Sequence, residues 1–124
     1  MTRRAALRQF VFIALMSPAL LAAACHSYHI ETTLENRTGN PIKLLEVDYP
    51  SASFGADALA AGANLRYRIV VLDSGPVTIT YTGSDDKQVK IKGIDLFERQ
   101  QGSLEIVLLP NGKAEFHPHL TPAG

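Results

Sequence analysis

Leu65-Arg66-Tyr67-Arg68-Ile69-Val70-Val71-Leu72 and, past a break at Asp73-Ser74-Gly75-Pro76, Val77-Thr78-Ile79-Thr80-Tyr81-Thr82 are the stretches that decide the fold class. Successive side chains of a β-strand point to opposite faces. In the first stretch Leu65, Tyr67, Ile69 and Val71 share one face and Arg66 and Arg68 take the other. In the second, Val77, Ile79 and Tyr81 alternate with three threonines. A period of two excludes an amphipathic helix, whose apolar positions recur every three to four residues. β-Branched and aromatic residues also suit a pleated, half-buried surface. Both stretches are therefore predicted as strands, with Leu65 to Val71 facing a core.

The same pattern extends in both directions. Upstream, Ile30, Thr32 and Leu34 share a face within 29–35, and Asn36-Arg37-Thr38-Gly39-Asn40-Pro41 is a cluster of turn residues. Within 42–49 the phase changes, with Ile42 and Leu44 in one register and Leu45, Val47 and Tyr49 in the other. One extra residue in a strand flips every later side chain, so a β-bulge is expected near Leu44. Downstream, Gly83-Ser84-Asp85-Asp86 turns into Val89 and Ile91, and Leu104, Ile106 and Leu108 mark another strand. Pro110-Asn111-Gly112 then carries the strongest hairpin signal, because Asn-Gly accepts the positive φ angles of a type I′ turn, and Ala114 and Phe116 open the last strand.

These runs predict an all-β domain of about seven strands. Short turns would join the first strand to the second, the fourth to the fifth and the sixth to the seventh. Longer links, 50–64 and 93–102, would precede the third and sixth. Hairpins stay within a sheet and long links can cross between sheets, so the spacing fits an immunoglobulin-like antiparallel β-sandwich over 29–118. Residues 119–124 read as a C-terminal tail. The Ala-rich stretch 51–62, with Phe54 and Leu59, reads as a cover over the core.

The N-terminus has a different character. Arg3, Arg4 and Arg8 precede an uncharged run over 10–24 that ends in Leu21-Ala22-Ala23-Ala24, and Cys25, the single cysteine of the chain, follows at once. The run is short of the roughly 20 residues a transmembrane helix needs and has the layout of a signal peptide. Small residues ending on cysteine resemble the lipobox of bacterial lipoproteins. That resemblance covers 1–25 and implies a diacylglycerol on Cys25, cleavage before it, residues 25–28 as a lipidated tether, and the bilayer as a partner. Simple secretion, with cleavage at Ala22-Ala23-Ala24, is the rival reading. A lone thiol in an oxidising compartment calls for an explanation, and lipidation supplies one. His26 stands where members held at the inner membrane usually carry aspartate, which implies the outer membrane, facing the periplasm. Arg3-Arg4 also looks like a twin-arginine export signal, though the usual phenylalanine is missing and a generic basic start is the plainer reading.

Composition narrows the function. Twelve basic residues balance twelve acidic ones, and three arginines lie in the segment that would be removed, leaving nine against twelve and a net charge of −3. A mildly acidic chain lacks the basic face that nucleic acid requires. Without an intrachain disulfide the domain relies on its apolar core. Chemistry-bearing residues are few. His117 and His119, two apart on a strand, could reach one metal ion, but a site needs three or four ligands. A seven-strand chain ends opposite its start, which places His26 and His29 about 20 Å from that pair for strands of six or seven residues. Asp85-Asp86 sits in a turn, where carboxylates cap backbone, and Asn36-Arg37-Thr38 matches a glycosylation sequon but reads as a turn. No nucleophile elbow and no Gly-rich phosphate loop are present, so the expectation is a non-catalytic binding or accessory module without cofactor.

The remaining candidate is loop-borne, since binding concentrates on loops of a rigid scaffold. Asp95, Phe97 and Arg99 lie in the 93–102 link as a candidate site for an envelope protein partner, with Leu96 and Phe97 as plugs of the sandwich end in the alternative. A seven-strand count puts this link, the 36–40 turn and the tail together at the end far from Cys25. Metal or small-ligand binding, and a structural role in an envelope assembly, are the competing functional classes.

Overall fold

A computed structural model describes residues 28–123. The signal segment, Cys25 and His26 lie outside the described residues. Eight strands follow one another: β1 (Ile30–Asn36), β2 (Ile42–Tyr49), β3 (Ala52–Leu59), β4 (Asn64–Ile69), β5 (Gly75–Thr82), β6 (Gln88–Leu96), β7 (Gln101–Leu109) and β8 (Lys113–Thr121), with a single 3-10 turn at Pro110–Gly112. They form two four-stranded sheets, ordered β4-β1-β7-β8 and β3-β2-β5-β6. The protein is a β-sandwich.

The core lies between the sheets and is almost wholly aliphatic. Ile30 and Leu34 of β1, Ile42, Leu45 and Val47 of β2, Val77 and Ile79 of β5 and Leu104, Ile106 and Leu108 of β7 are buried. Burying one such side chain contributes roughly 1.5–3 kcal/mol, which accounts for a stable domain with no disulfide. Where β3 and β4 form one flank, the Phe54 and Tyr67 rings stack at 4.7 Å. On the other flank, between β6 and β8, Phe116 packs onto Gly93: a methyl on Gly93 would lie 2.5 Å from the ring.

The expected strand near residue 44 carries its bulge. Leu44 takes φ 49°, the pairing with β5 shifts between Lys43 and Glu46, and Leu44 is 67 % exposed while Ile42 and Leu45 both point inward. The β7–β8 turn also follows its sequence, with Asn111 at φ 65° and Gly112 at φ 70°.

Four expectations need correction. The strand count is eight, because the presumed cover at 51–62 is itself strand β3, paired along its whole length with β2. The turn after β1, although short, crosses between sheets instead of forming a hairpin. β4 ends at Ile69, so Leu72 is outside the strand and exposed, and Tyr67 is half-exposed on the flank. β8 continues to Thr121, so His119 belongs to a strand and not to a tail.

β1 runs antiparallel to β4 and parallel to β7, in register from Ile30 opposite Gly102 to Asn36 opposite Leu108. We call the end where β1 begins the lower end. Strands alternate in direction, so the links β2–β3, β4–β5 and β6–β7 and the end of β8 are also lower, and the turns after β1, β3, β5 and β7 are upper.

The upper end is organised by Asn36, the inward position after Leu34, which is fully buried. Its amide donates to the carbonyls of Asn40 (2.8 Å), Leu59 (3.1 Å) and Ala60 (3.2 Å), and its oxygen accepts from the Thr38 backbone N–H and hydroxyl. One side chain thus ties the β1–β2 turn to the β3–β4 turn. The sequon is a structural turn in this fold. Replacing the amide by a carboxylate would set an acceptor against three acceptors. Asn36→Asp should lower unfolding free energy by about 3 kcal/mol or more, read by chemical denaturation, and a loss under 1 kcal/mol would show that the amide is not the tie. Gly93→Ala should cost roughly 1–3 kcal/mol by overpacking. Combined with Phe116→Ala it should cost less than the two single losses together, in a double-mutant cycle.

Candidate functional site at the lower end of the sandwich

The sequence candidates Asp95, Phe97 and Arg99 are at the lower end, the end where β1 begins. This reverses the expected placement. An even strand count returns the chain to the end it started from, and the parallel β1–β7 pair sets the start of β7 beside the start of β1. The 93–102 link is also shorter than expected: β6 runs to Leu96 and β7 starts at Gln101, leaving Phe97-Glu98-Arg99-Gln100 as a tight turn with Arg99 at φ 63°. Leu96 is buried as a plug, but Phe97 is 41 % exposed and Asp95 and Arg99 face solvent. The 36–40 turn is at the opposite end.

Hydrogen bonds stitch the lower links into one surface. Gln100, a buried polar residue, accepts from the Phe97 N–H at 2.9 Å and donates to the Pro122 carbonyl at 3.0 Å. The Arg99 N–H donates to Val71 and the Gly102 N–H to His29. The Leu72 N–H donates to the Ser51 hydroxyl at 2.6 Å. The β2–β3, β4–β5 and β6–β7 links, the start of β1 and the C-terminal residues are therefore tied to one another.

Apolar side chains stand out from this surface. Of six exposed large hydrophobic residues among those described, Tyr28, Val70, Leu72 and Phe97 lie at this end, Leu72 at 73 % exposure. The apolar surface continues up the β6–β8 flank as a groove of about 290 Å³ lined by Ile94, Phe97, Pro118 and Leu120. Sequence reading had picked out Phe97 but missed Val70 and Leu72, which the alternation assigned to a strand; the turn chemistry beginning at Asp73 marked the strand's end slightly late.

The histidines also need relocation. His29 and His119 share the lower end, because the strand number is even. On the outer face of the β4-β1-β7-β8 sheet, His117 pairs with Glu115 at 3.1 Å and His29 lies 3.5 Å from Glu31, which in turn holds Arg68 at 2.8 Å. No group of three metal-ligating side chains forms among the described residues. Ser103 is opposite His119, but no hydrogen bond joins them. The other sheet shows outward rows in which Glu46 or Asp48, a threonine, and Lys90 or Lys92 lie side by side. Neither outer face gathers charge of one sign.

A second cavity, about 480 Å³, opens at the upper end between the β1–β2, β5–β6 and β7–β8 turns. Thr38, Asn40, Ser84, Lys87 and Asn111 are among its lining residues, and Tyr81 forms part of its wall. Asp85 also lines it, and its carboxylate accepts from the Lys87 N–H at 3.1 Å, a capping role; Asp86 is exposed in the same turn. Tyr81 is 4 % exposed, and its hydroxyl has no hydrogen-bond partner among the described residues. Burial pushes the Tyr81 phenol above the ordinary tyrosine range. Burial, and then Tyr67, does the same for Tyr49. At the exposed edge of this end, the hydrogen bond that Arg37 donates to the Glu35 carboxylate, and then the Glu35 charge, hold Arg37 more firmly protonated.

A raised folded-state pKa stabilises the fold below the unfolded value and is lost as pH climbs through the folded one. The contribution of these two phenols to stability should accordingly be constant below about pH 10, the ordinary tyrosine value, and be lost above it. Tyrosinate absorbance should show late-ionising phenols that disappear in the Tyr49→Phe, Tyr81→Phe double variant. An unchanged titration curve would refute the burial argument.

Comparison with known proteins yields the architecture and no more. No family model matches the chain, and no curated protein matches it. A protein from Eubacterium rectale, solved by NMR, has a similar structure at a TM-score of 0.55, over 77 % of this chain and 90 % of that one, with 12 % sequence identity. At such identity the likeness speaks for the β-sandwich fold alone.

Proposed function

We propose that the protein is an exported lipoprotein, anchored at the outer membrane through acylated Cys25, whose sandwich serves on the periplasmic side as a non-catalytic binding or accessory module. The observation that carries this reading is Ala22-Ala23-Ala24-Cys25 behind a basic start and an uncharged run. Two acyl chains bind a bilayer firmly where one does so only marginally, at about 0.8 kcal/mol per buried methylene. Only His26 and Ser27 separate Cys25 from Tyr28, where the described chain begins at the lower end. An anchor at Cys25 therefore holds that end toward the lipid and sets the upper end away by the length of a strand, roughly 30 Å for nine residues. Within this reading the sandwich is of an immunoglobulin-like kind, given its links that cross between sheets. Its division into four and four strands and its parallel β1–β7 pair set it apart from the seven-strand constant-type arrangement.

Cys25→Ser tests the anchor. The natural chain should sediment with membranes and carry the mass of its acyl groups, and the variant should be soluble and unmodified. A natural chain of unmodified mass in the soluble fraction would favour simple secretion.

One observation favours a second reading, small-ligand binding. The Tyr81 ring is buried while its hydroxyl, which makes no hydrogen bond to the described residues, is open to the upper cavity among amide and hydroxyl side chains, a setting suited to a small polar ligand. Millimolar sugars or amino acids should then raise the melting temperature of the natural chain and leave Tyr81→Phe unmoved. Equal behaviour of the two chains rejects this reading.

A further inference from the structure

The geometry points to the lower end as a membrane-contact surface in its own right, in which Val70, Leu72 and Phe97 enter the interfacial layer of the bilayer beside the anchor. This rests on the lipid-anchor reading and extends it from one cysteine to a face of the domain.

Three observations converge. The first is position: the exposed apolar residues come from separate links, β4–β5 and β6–β7, and gather at one end of the sandwich. Large exposed apolar patches mark interaction sites. At the opposite end the described residues include no exposed large hydrophobic residue beyond Leu44 at its bulge.

The second is chain length. The three Cα-to-Cα steps from Cys25 to Tyr28, even fully extended, span at most about 11 Å. A diacylglycerol on Cys25 would keep Tyr28, and the lower links with it, within that distance of the lipid surface. Tyr28 is itself half-exposed, and aromatic residues with one polar tip favour the headgroup level.

The third is rigidity. The Gln100 side chain, the Arg99-to-Val71 bond and the Leu72-to-Ser51 bond hold these links together. The apolar residues are presented without the ordering cost that free loops would incur. Charge argues for lipid tails over headgroups as the partner. Asp73, Asp95, Glu98 and Arg99 are exposed in or beside these links, and Arg68, two residues before Val70, is held by Glu31, so no excess of positive charge gathers there. The contact is hydrophobic, and anionic lipid should not strengthen it.

The chain has no tryptophan, so a single introduced one reports its own surroundings. The full chain, purified from membranes with its lipid, is prepared as Phe97→Trp and as Ser84→Trp, the latter at the exposed upper turn, and placed in phosphatidylcholine vesicles. Emission from the tryptophan at 97 should move to shorter wavelength and be quenched by lipids brominated in the upper acyl chain. Emission from position 84 should do neither, and phosphatidylglycerol should not increase the quenching at 97. An acylated, vesicle-bound chain whose tryptophan at 97 is unquenched overturns the proposal while leaving the anchor intact. A shift at 97 without lipid quenching identifies a second copy of the chain as the occupant and also overturns it. Equal quenching at 84 shows that the domain lies differently and does the same. A purified chain of unmodified mass defeats the anchor reading, and with it this extension.

Discussion

β1 has no free edge. Six of its seven residues pair with β4 on one side and all seven with β7 on the other, and its inward residues Ile30 and Leu34 are fully buried. The first strand of the domain is thus an interior strand of its sheet, and it can be completed only when strands far along the chain arrive. The parallel pairing with β7 then fixes which links share an end. From this one constraint follow the position of the Phe97 turn beside the start of the domain, the closing of the upper end by Asn36, and the return of β8 to the level at which β1 began.

Much of this architecture was legible in the sequence. The alternating runs 77–82 and 104–108 lie within strands β5 and β7, although β7 begins earlier, at Gln101. The bulge at Leu44 was legible because two apolar registers meet there, and Asn111-Gly112 because few residues tolerate consecutive positive φ angles. β3 was not legible. Ala52-Ser53-Phe54-Gly55-Ala56-Asp57-Ala58-Leu59 buries only Phe54 and Leu59, and alanine, glycine and aspartate have low strand propensity. It is a strand because β2 offers it a ladder, a tertiary effect that local composition does not carry.

That single omission governs how much of the candidate site could be read. Phe97, Asp95 and Arg99 read as loop-borne candidates, with Leu96 and Phe97 alternatively as plugs; Phe97 and Arg99 are exposed in the turn, Asp95 is exposed on β6, and only Leu96 is buried. Their location was inferred from strand parity, and one uncounted strand exchanges the two ends of the molecule. The same error separated His29 from His119. Residue types were readable locally; their neighbours were not, because Val71 meets Arg99 and Gln100 meets Pro122 only through the packing of distant links.

The central place of β1 also has a mechanical consequence. If the domain is tethered through its N-terminal side and tugged from its upper end, the load passes along β1, nearly perpendicular to the backbone bonds that flank it. Those bonds must then yield together in shear, whereas a strand peeled from an edge releases them one at a time. A domain with this topology gives way to such a load less readily than one whose first strand lies at an edge.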